Sequence, residues 1–368
     1  MLYSTKLIYN DLLYINMKKW MKLAFFIYLF ILSIELIKKS SLLLAPDIKN
    51  LLVQNITPLK AISAGWFTTS IVQSSGVVSS ITAAFAGNGI INLSTAVYIL
   101  IGASFGTTIT AIIISLITVT NKRRDFRHGF EIGLSYSIYS ALLVTIIFTL
   151  EFFFSVFSKT SLFLATAFKN KIFLLKIPNI VDIITNQIIN IISIENQKFF
   201  ALAFGFILLI IALRFIGSSV MEVLGGEEKA RKFINRHFES KYKTYFIGMA
   251  LTAILFSSSI TIGLLVPLAA ARLISLKKAI PFILGADLGT FTDTFLASLI
   301  IGKTAAIATA FSYAFFGILG TILFLPNIDF LHKITKYTSK KLINISRKKA
   351  LYILIAFILI PLAIILFF

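Results

Sequence analysis

The sequence predicts an all-α polytopic membrane protein made of two inverted-topology repeats, each with a re-entrant hairpin and a discontinuous transmembrane helix. Three observations carry that expectation. Hydrophobic residues make up 58% of the 368, and mean hydropathy is +0.92, well above the roughly 45–50% apolar content of soluble domains. Apolar runs of about 17–25 residues, long enough to cross a bilayer as helices, recur along the chain. Finally, residues 69–116 lie without a gap on residues 252–299 at an offset of 183 positions, so that Thr69, Ser74, Ser75, Gly102, Gly106 and Thr107 meet Thr252, Ser257, Ser258, Gly285, Gly289 and Thr290.

Taken in order, residues 1–20 carry Lys6, Lys18 and Lys19 and read as a short interfacial helix before a first span at 23–37. A polar connection with Pro46 and Pro58 follows. Residues 61–88 are apolar but broken at Ser74-Ser75-Gly76, the pattern of a re-entrant hairpin. Residues 93–118 read as a span interrupted near 102–107, and 131–154 as a further span after a basic cluster. The moderately polar stretch 158–198 has no strong periodicity and reads as a loop joining two halves. Residues 199–221 form a span containing Arg214, and 222–243 a charged surface helix. The second hairpin, 246–271, is broken at Ser257-Ser258-Ser259 and Pro267; the second interrupted span is 279–301, the next span 305–325 and the last 350–367. The organisation is thus an N-terminal repeat at 1–157, a loop at 158–198, a C-terminal repeat at 199–326, and a basic linker with a final helix at 327–368. Residues 1–22 lack the separate apolar core and small-residue site of a cleavable leader.

A net charge of +20 raises the question of nucleic acid, but the lysines and arginines cluster between spans, as the positive-inside rule requires, and no nucleic-acid partner is expected. If each hairpin enters and leaves on one side, each half crosses the membrane an odd number of times and the second half is inverted. Loop charge agrees. The first copy joins hairpin to span through the uncharged residues 89–95, the second through 272–278 with Arg272, Lys277 and Lys278. With the N-terminus in the cytoplasm, the basic segments 1–22, 119–130, 222–245, 272–278 and 327–350 all fall inside. The expected location is therefore the cell membrane, plasma or inner. The chain has no cysteine, and His128, His237 and His332 are far apart, so neither thiolate nor histidine metal chemistry is expected.

Broken backbone at membrane depth needs protein or water around it, because an unpaired amide in hydrocarbon costs several kcal/mol. Discontinuous helices in inverted repeats are how many secondary transporters hold a substrate at the midplane: helix N-termini suit an anion, while freed carbonyls and hydroxyls suit Na+. Gln73, Ser74 and Ser75 in one copy and Ser257, Ser258 and Ser259 in the other are the candidate pair. A lone serine in such a helix commonly back-bonds or eases close packing; recurrence of the tract in both copies favours binding. Ionisable residues inside spans are further candidates. Asp287 is placed to bind Na+, carry a proton or cap a helix, and Asp293 reads as structural, nearer the rim. Arg214 either meets an anion or pairs with Asp287 or Glu35, and Glu35, Glu131 and Glu151 read as loop-pairing residues. Gly102-Ala103-Ser104-Phe105-Gly106 fits the G-x-S-x-G pattern of a hydrolase elbow. It lies in an apolar helical run, however, and its copy has Asp287 at the serine position, so close helix packing is the expected role of its glycines.

At these residues the chain resembles the sodium-dependent phosphate cotransporter family (type II Na/Pi-cotransporter), in which each of two inverted copies has a Gln-Ser-Ser-Ser hairpin followed by Gly-Ala-Asn-Ile-Gly-Thr. Here the pairs read Gln73-Ser74-Ser75-Gly76 with Gly102-Ala103-Ser104-Phe105-Gly106-Thr107, and Phe256-Ser257-Ser258-Ser259 with Gly285-Ala286-Asp287-Leu288-Gly289-Thr290. The resemblance covers about residues 22–325. The PhoU-like C-terminal domain of many bacterial relatives has no counterpart in 327–368. The resemblance implies sodium-coupled transport of inorganic phosphate by alternating access in a lipid bilayer, with no enzymatic activity and no cofactor beyond Na+ as coupling ion. It implies substrate or ion contacts at Gln73, Ser74, Ser75, Ser257, Ser258, Ser259, Thr107, Thr290, Ser104 and Asp287, with Ser75, Ser258, Ser259 and Asp287 as Na+ ligands; Arg214 joins the candidate contacts as an ionisable residue within a span. The departures are Gly76 for a serine, Phe256 for a glutamine, Ser104 for an asparagine and Asp287 for an asparagine. They leave open a transporter of another small anion, a proton-coupled relative, or a transport-degenerate protein with a regulatory or channel-like role. The sequence sets no oligomeric state.

Overall fold

A computed structural model describes residues 17–33, 35–37, 56–118, 123–173, 184–189, 197–223, 240–270, 272 and 274–342, most of 347–367, and scattered positions at 39–43 and 225–238. Among them every regular element is a helix. The first half comprises α1 (Met17–Ile37), α2 (Pro58–Val72), α3 (Ser75–Gly87), α4 (Leu93–Gly106), α5 (Ile109–Thr118), α6 (Arg123–Phe154) and α7 (Val156–Phe173). Next come α8 (Lys198–Val223), α9 (Lys241–Leu255), α10 (Ser258–Gly263), α11 (Leu265–Ala270), α12 (Leu276–Gly289), α13 (Phe291–Ile301), α14 (Thr304–Phe324), α15 (Ile328–Leu342) and α16 (Arg347–Phe367). Among the described residues five helices are long and apolar enough to cross a membrane: α1, α4 with α5 (Leu93–Ser115), most of α6 (Arg127–Phe154), α12 with α13 (Leu276–Ile301), and α14.

The local start signals are polar caps. Thr57 accepts from Lys60 N with Pro58 opening α2, Asn92 Oδ1 accepts from Thr95 N at 2.7 Å to start α4, and Ser240 does the same for α9. Each cap satisfies an amide that the first helical turn leaves without a partner.

The 183-residue offset recurs in the boundaries. Pro58–Val72 maps onto Lys241–Leu255, and Leu93–Gly106 onto Leu276–Gly289, with no shift. The packing recurs too: α2 lies against α4 as α9 lies against α12. A Cβ on Gly65 would overlap the Ile99 carbonyl and one on Gly102 the Ile62 carbonyl; the corresponding atoms, Gly248 against Phe282 and Gly285 against Tyr245, repeat that approach. Small residues thus let backbone meet backbone in both copies, the close helix packing expected of the Gly102/Gly106 spacing. The halves then interlock. The helix after the first break, α3, packs on α13 and α14, whereas α10 and α11 pack on α5 and α6.

Two sequence expectations change. Residues 158–198 do not begin as a loop, because α7 runs to Phe173 and packs on α14. Phe157 meets the Phe316 ring edge-on at 5.2 Å, Ser312 Oγ donates to Ser161 Oγ at 2.7 Å, and Ala165 packs with Ile307 and Ala308. Its apolar face is narrow and interspersed with Lys159, Thr160 and Ser161, which hid the helical period. The turn before it is held by Glu151, whose Oε2 accepts from the Phe157 and Ser158 amides. In addition, the basic 327–349 stretch is in part a helix, α15, docked on α6. There Glu131, 1% exposed, accepts from Arg127 Nε at 3.1 Å and from Ser339 Oγ at 3.0 Å and pairs with Lys336. The expected interfacial helix at 1–20 lies mostly outside the described residues, as does much of 224–239.

Candidate functional site

The two serine tracts lie at two sharp breaks of one design. Gln73 ends α2 in the left-handed conformation with φ 57°, and Phe256 ends α9 with φ 52°. For residues with a Cβ this region costs on the order of 1–3 kcal/mol, and such strain concentrates at functional sites. The next residue restarts a helix in each case. Ser74 Oγ accepts from Val77 N at 3.3 Å and Ser257 Oγ from Ile260 N at 3.2 Å.

Between the breaks lies a cavity of ≈ 470 Å³. Its polar wall is Gln73, Ser74, Thr110, Ser257 and Ser259; Val77, Ile114, Ile210, Phe256 and Ile260 are among its apolar residues. The breaks touch there, since Ser259 Oγ donates to the Gln73 carbonyl at 3.2 Å and lies 3.5 Å from Thr107 Oγ1. Phe256 stacks on Phe30 of α1, ring centres 6.2 Å apart. The result is a half-apolar pocket with several convergent hydroxyls, the usual composition of a small-ligand site.

The middle serines turn away from it. Ser75 and Ser258 are each 2% exposed; Ser75 faces the Tyr313 phenol of α14, and Ser258 faces Tyr136 of α6. Each copy therefore reaches a tyrosine of the other half. Asp287 is also away from the cavity: its carboxylate accepts from Tyr136 at 3.2 Å and Tyr139 at 2.8 Å. Ser104 is buried in α4, where its carbonyl accepts from Ser140 at 3.3 Å, and the Thr290 hydroxyl back-bonds to the Ala286 carbonyl at 3.0 Å. A serine inside helix α4, with no strand before it, has none of the strand-to-helix turn that a hydrolase elbow needs,. Arg214 lies on α8, and its side chain is outside the described residues. Sequence reading brought together Gln73, Ser74, Ser257, Ser259 and Thr107. It missed Thr110, which is the mate of Asp293 at the 183 offset, and the three tyrosines, which carry no local signal.

Among the described residues all regular structure is helical, five helices are of membrane length, and a hydroxyl-lined cavity lies between two matching breaks; this is the build of a multi-pass membrane protein. The chain belongs to the Na+/Pi-cotransporter family, whose pattern matches residues 29–175 and again residues 183–329. That family is one of transporters, not of enzymes. The chain is 23% identical to sodium-dependent phosphate transport protein 2A of Ovis aries, over 91% of its own length and 65% of the relative's. It is 34% identical to sodium-dependent phosphate transport protein 2B of Bos taurus over 42% of the chain and 24% of the relative, and 38% identical to the uncharacterized protein YqeW of Bacillus subtilis (strain 168) over 24% and 28%. The chain thus spans about two thirds or less of the length of these relatives. No solved structure matches it.

Proposed function

We propose that this protein carries inorganic phosphate across the cell membrane together with Na+, by alternating access between two inverted halves, residues 1–157 and 199–326. Each half contributes a re-entrant hairpin and a discontinuous helix, the N-terminus is cytoplasmic, and 327–368 is a basic linker with a final helix. The observation that carries this reading is the cavity shared by Gln73 and Ser74 from one break and Ser257 and Ser259 from the other. Phosphate suits it: the hydroxyls can donate to its oxygens, and the N-terminus of α3 presents positive dipole. The crossed packing of α3 on the second half and of α10 and α11 on the first supports a mechanism in which the halves move about the site,. The names of the relatives in sheep and cattle agree with phosphate and sodium as cargo.

The test is uptake of radiolabelled phosphate into proteoliposomes with an inward Na+ gradient, against choline. Uptake at least tenfold above the choline control is expected. Equal, background-level uptake in both refutes the reading.

A further inference from the structure

Two positions are exchanged between the copies. Glycine stands at 76 where the second tract has Ser259, and Asp293 stands on α13 where the first copy has Thr110. The exchanges meet in space. A Cβ on Gly76 would overlap the Asp293 carboxylate, so that carboxylate fills the room a serine side chain would take. At the other crossing Ser259 and Thr110 both line the cavity. One crossing therefore carries two hydroxyls and the other a glycine with a carboxylate.

Asp293 is 1% exposed. Its Oδ1 accepts from Thr294 N at 2.7 Å and from Thr294 Oγ1 at 3.2 Å, while among the described residues Oδ2 has no hydrogen-bond partner. A buried carboxylate with an open oxygen and, among the described residues, no counter-charge is strongly disfavoured, so it either takes a proton or holds a cation. Its surroundings are rich in oxygen. The Ser79 and Thr294 hydroxyls share a hydrogen bond, and Ser79 Oγ donates to the Gly76 carbonyl at 3.2 Å. Of the other buried acids, Asp287 is held by two tyrosines and Glu131 by three side chains; Glu151 also has one open oxygen, but its other accepts from two amides of the following turn, and Glu35 lies 3.9 Å from the Lys39 ammonium.

We propose that Asp293 Oδ2 is a carboxylate ligand for a monovalent cation of the Na+ class, bound at the α3–α13 crossing where the absence of a side chain at Gly76 lets the carboxylate sit, with the hydroxyls of Ser79 and Thr294 as neighbouring oxygens. This rests on the sodium-coupled reading above and moves the coupling carboxylate from Asp287 to Asp293. Carboxylate, hydroxyl and carbonyl oxygens are hard donors that match such an ion, and an ionisable group at membrane depth marks an ion path by default.

The experiment is saturable binding of radioactive Na+ to the purified full chain in nanodiscs, competed with unlabelled Na+. The wild type should bind. Asp293→Asn, isosteric with the native residue, should bind at least tenfold more weakly. The double variant Gly76→Ser/Asp293→Thr recreates the two-hydroxyl crossing, and it should fold yet show the same loss. Asp329→Asn, an exposed residue of α15 paired with Lys277, should retain binding. Affinity within twofold of the wild type in either Asp293 variant, or no saturable binding by the wild type, overturns the proposal. The readout uses no phosphate. Failed phosphate uptake beside Asp293-dependent Na+ binding refutes the phosphate reading alone, and Na+-driven uptake that survives Asp293→Asn refutes this site alone.

Discussion

At Gln73 and at Phe256 the chain turns through the same left-handed conformation, φ 57° and 52°, and a serine caps the helix that follows. The helices before each break approach their neighbours through paired glycines whose contacts repeat residue by residue. Side-chain chemistry does not repeat. The first break offers an amide, Gln73, and ends in a glycine; the second offers an aromatic ring, Phe256, and ends in a hydroxyl, Ser259. The two breaks thus share their backbone, where any change meets other backbone, and differ in the side chains around the cavity.

The largest expected effect tests the shared part. Gly102→Ala and Gly285→Ala would each push a methyl into a carbonyl of the facing helix, Ile62 or Tyr245. Overpacking costs typically about 1–3 kcal/mol and more where backbone must move, so each should lower stability by about 3 kcal/mol or more. Melting curves in detergent should show matched losses. Tolerance in one copy and collapse in the other would break the equivalence.

The next effect tests the divergent part. Ser259→Asp brings into the cavity a carboxylate of the kind found at the other crossing. Two like charges about 4 Å apart repel by about 4 kcal/mol at an effective dielectric near 20. Phosphate uptake should fall by at least a hundredfold while the protein still folds, since Ser259 borders open space. Unchanged uptake would mean that the cavity does not hold the anion.

The repeat was the most legible feature. The breaks at 74–76 and 257–259 and the packing glycines are local signals, and the 183 offset aligned them. What escaped depends on contacts between distant segments. Gly76 reads in sequence as a lost hydroxyl, yet in space its room is filled by Asp293, and nothing near either residue announces the pairing. Asp287 reads in sequence as an ion ligand, a proton carrier or a cap, and nothing near it announces that Tyr136 and Tyr139 of α6 donate to its oxygens. The helix α7 was missed because its buried contacts are made to α14, beyond the reach of a periodicity argument.

The tyrosine clamp gives a smaller, cleaner prediction. Tyr139→Phe removes the shorter hydrogen bond to Asp287, 2.8 Å, and leaves a buried acceptor short of a partner, at a cost of about 1–3 kcal/mol. Stability should fall by that amount. Na+ binding should stay within twofold of the wild type, because Asp293 lies at a different crossing. A large loss of Na+ binding would return the coupling role to Asp287.

The smallest effect is the most informative about the breaks themselves. Phe256→Gln puts at the second break the residue that the first has at Gln73. It gives up the stack on Phe30, worth about 0.5–1.5 kcal/mol beyond the buried area,, so melting should shift down slightly. In return the cavity gains an amide donor where it now has a ring. A net gain of about 1 kcal/mol in binding is roughly fivefold in affinity, visible as a lower half-saturating phosphate concentration. If affinity falls instead, the ring is needed to hold the second break against α1. The two breaks then have different tasks, Gln73 contacting the anion and Phe256 shaping the wall around it.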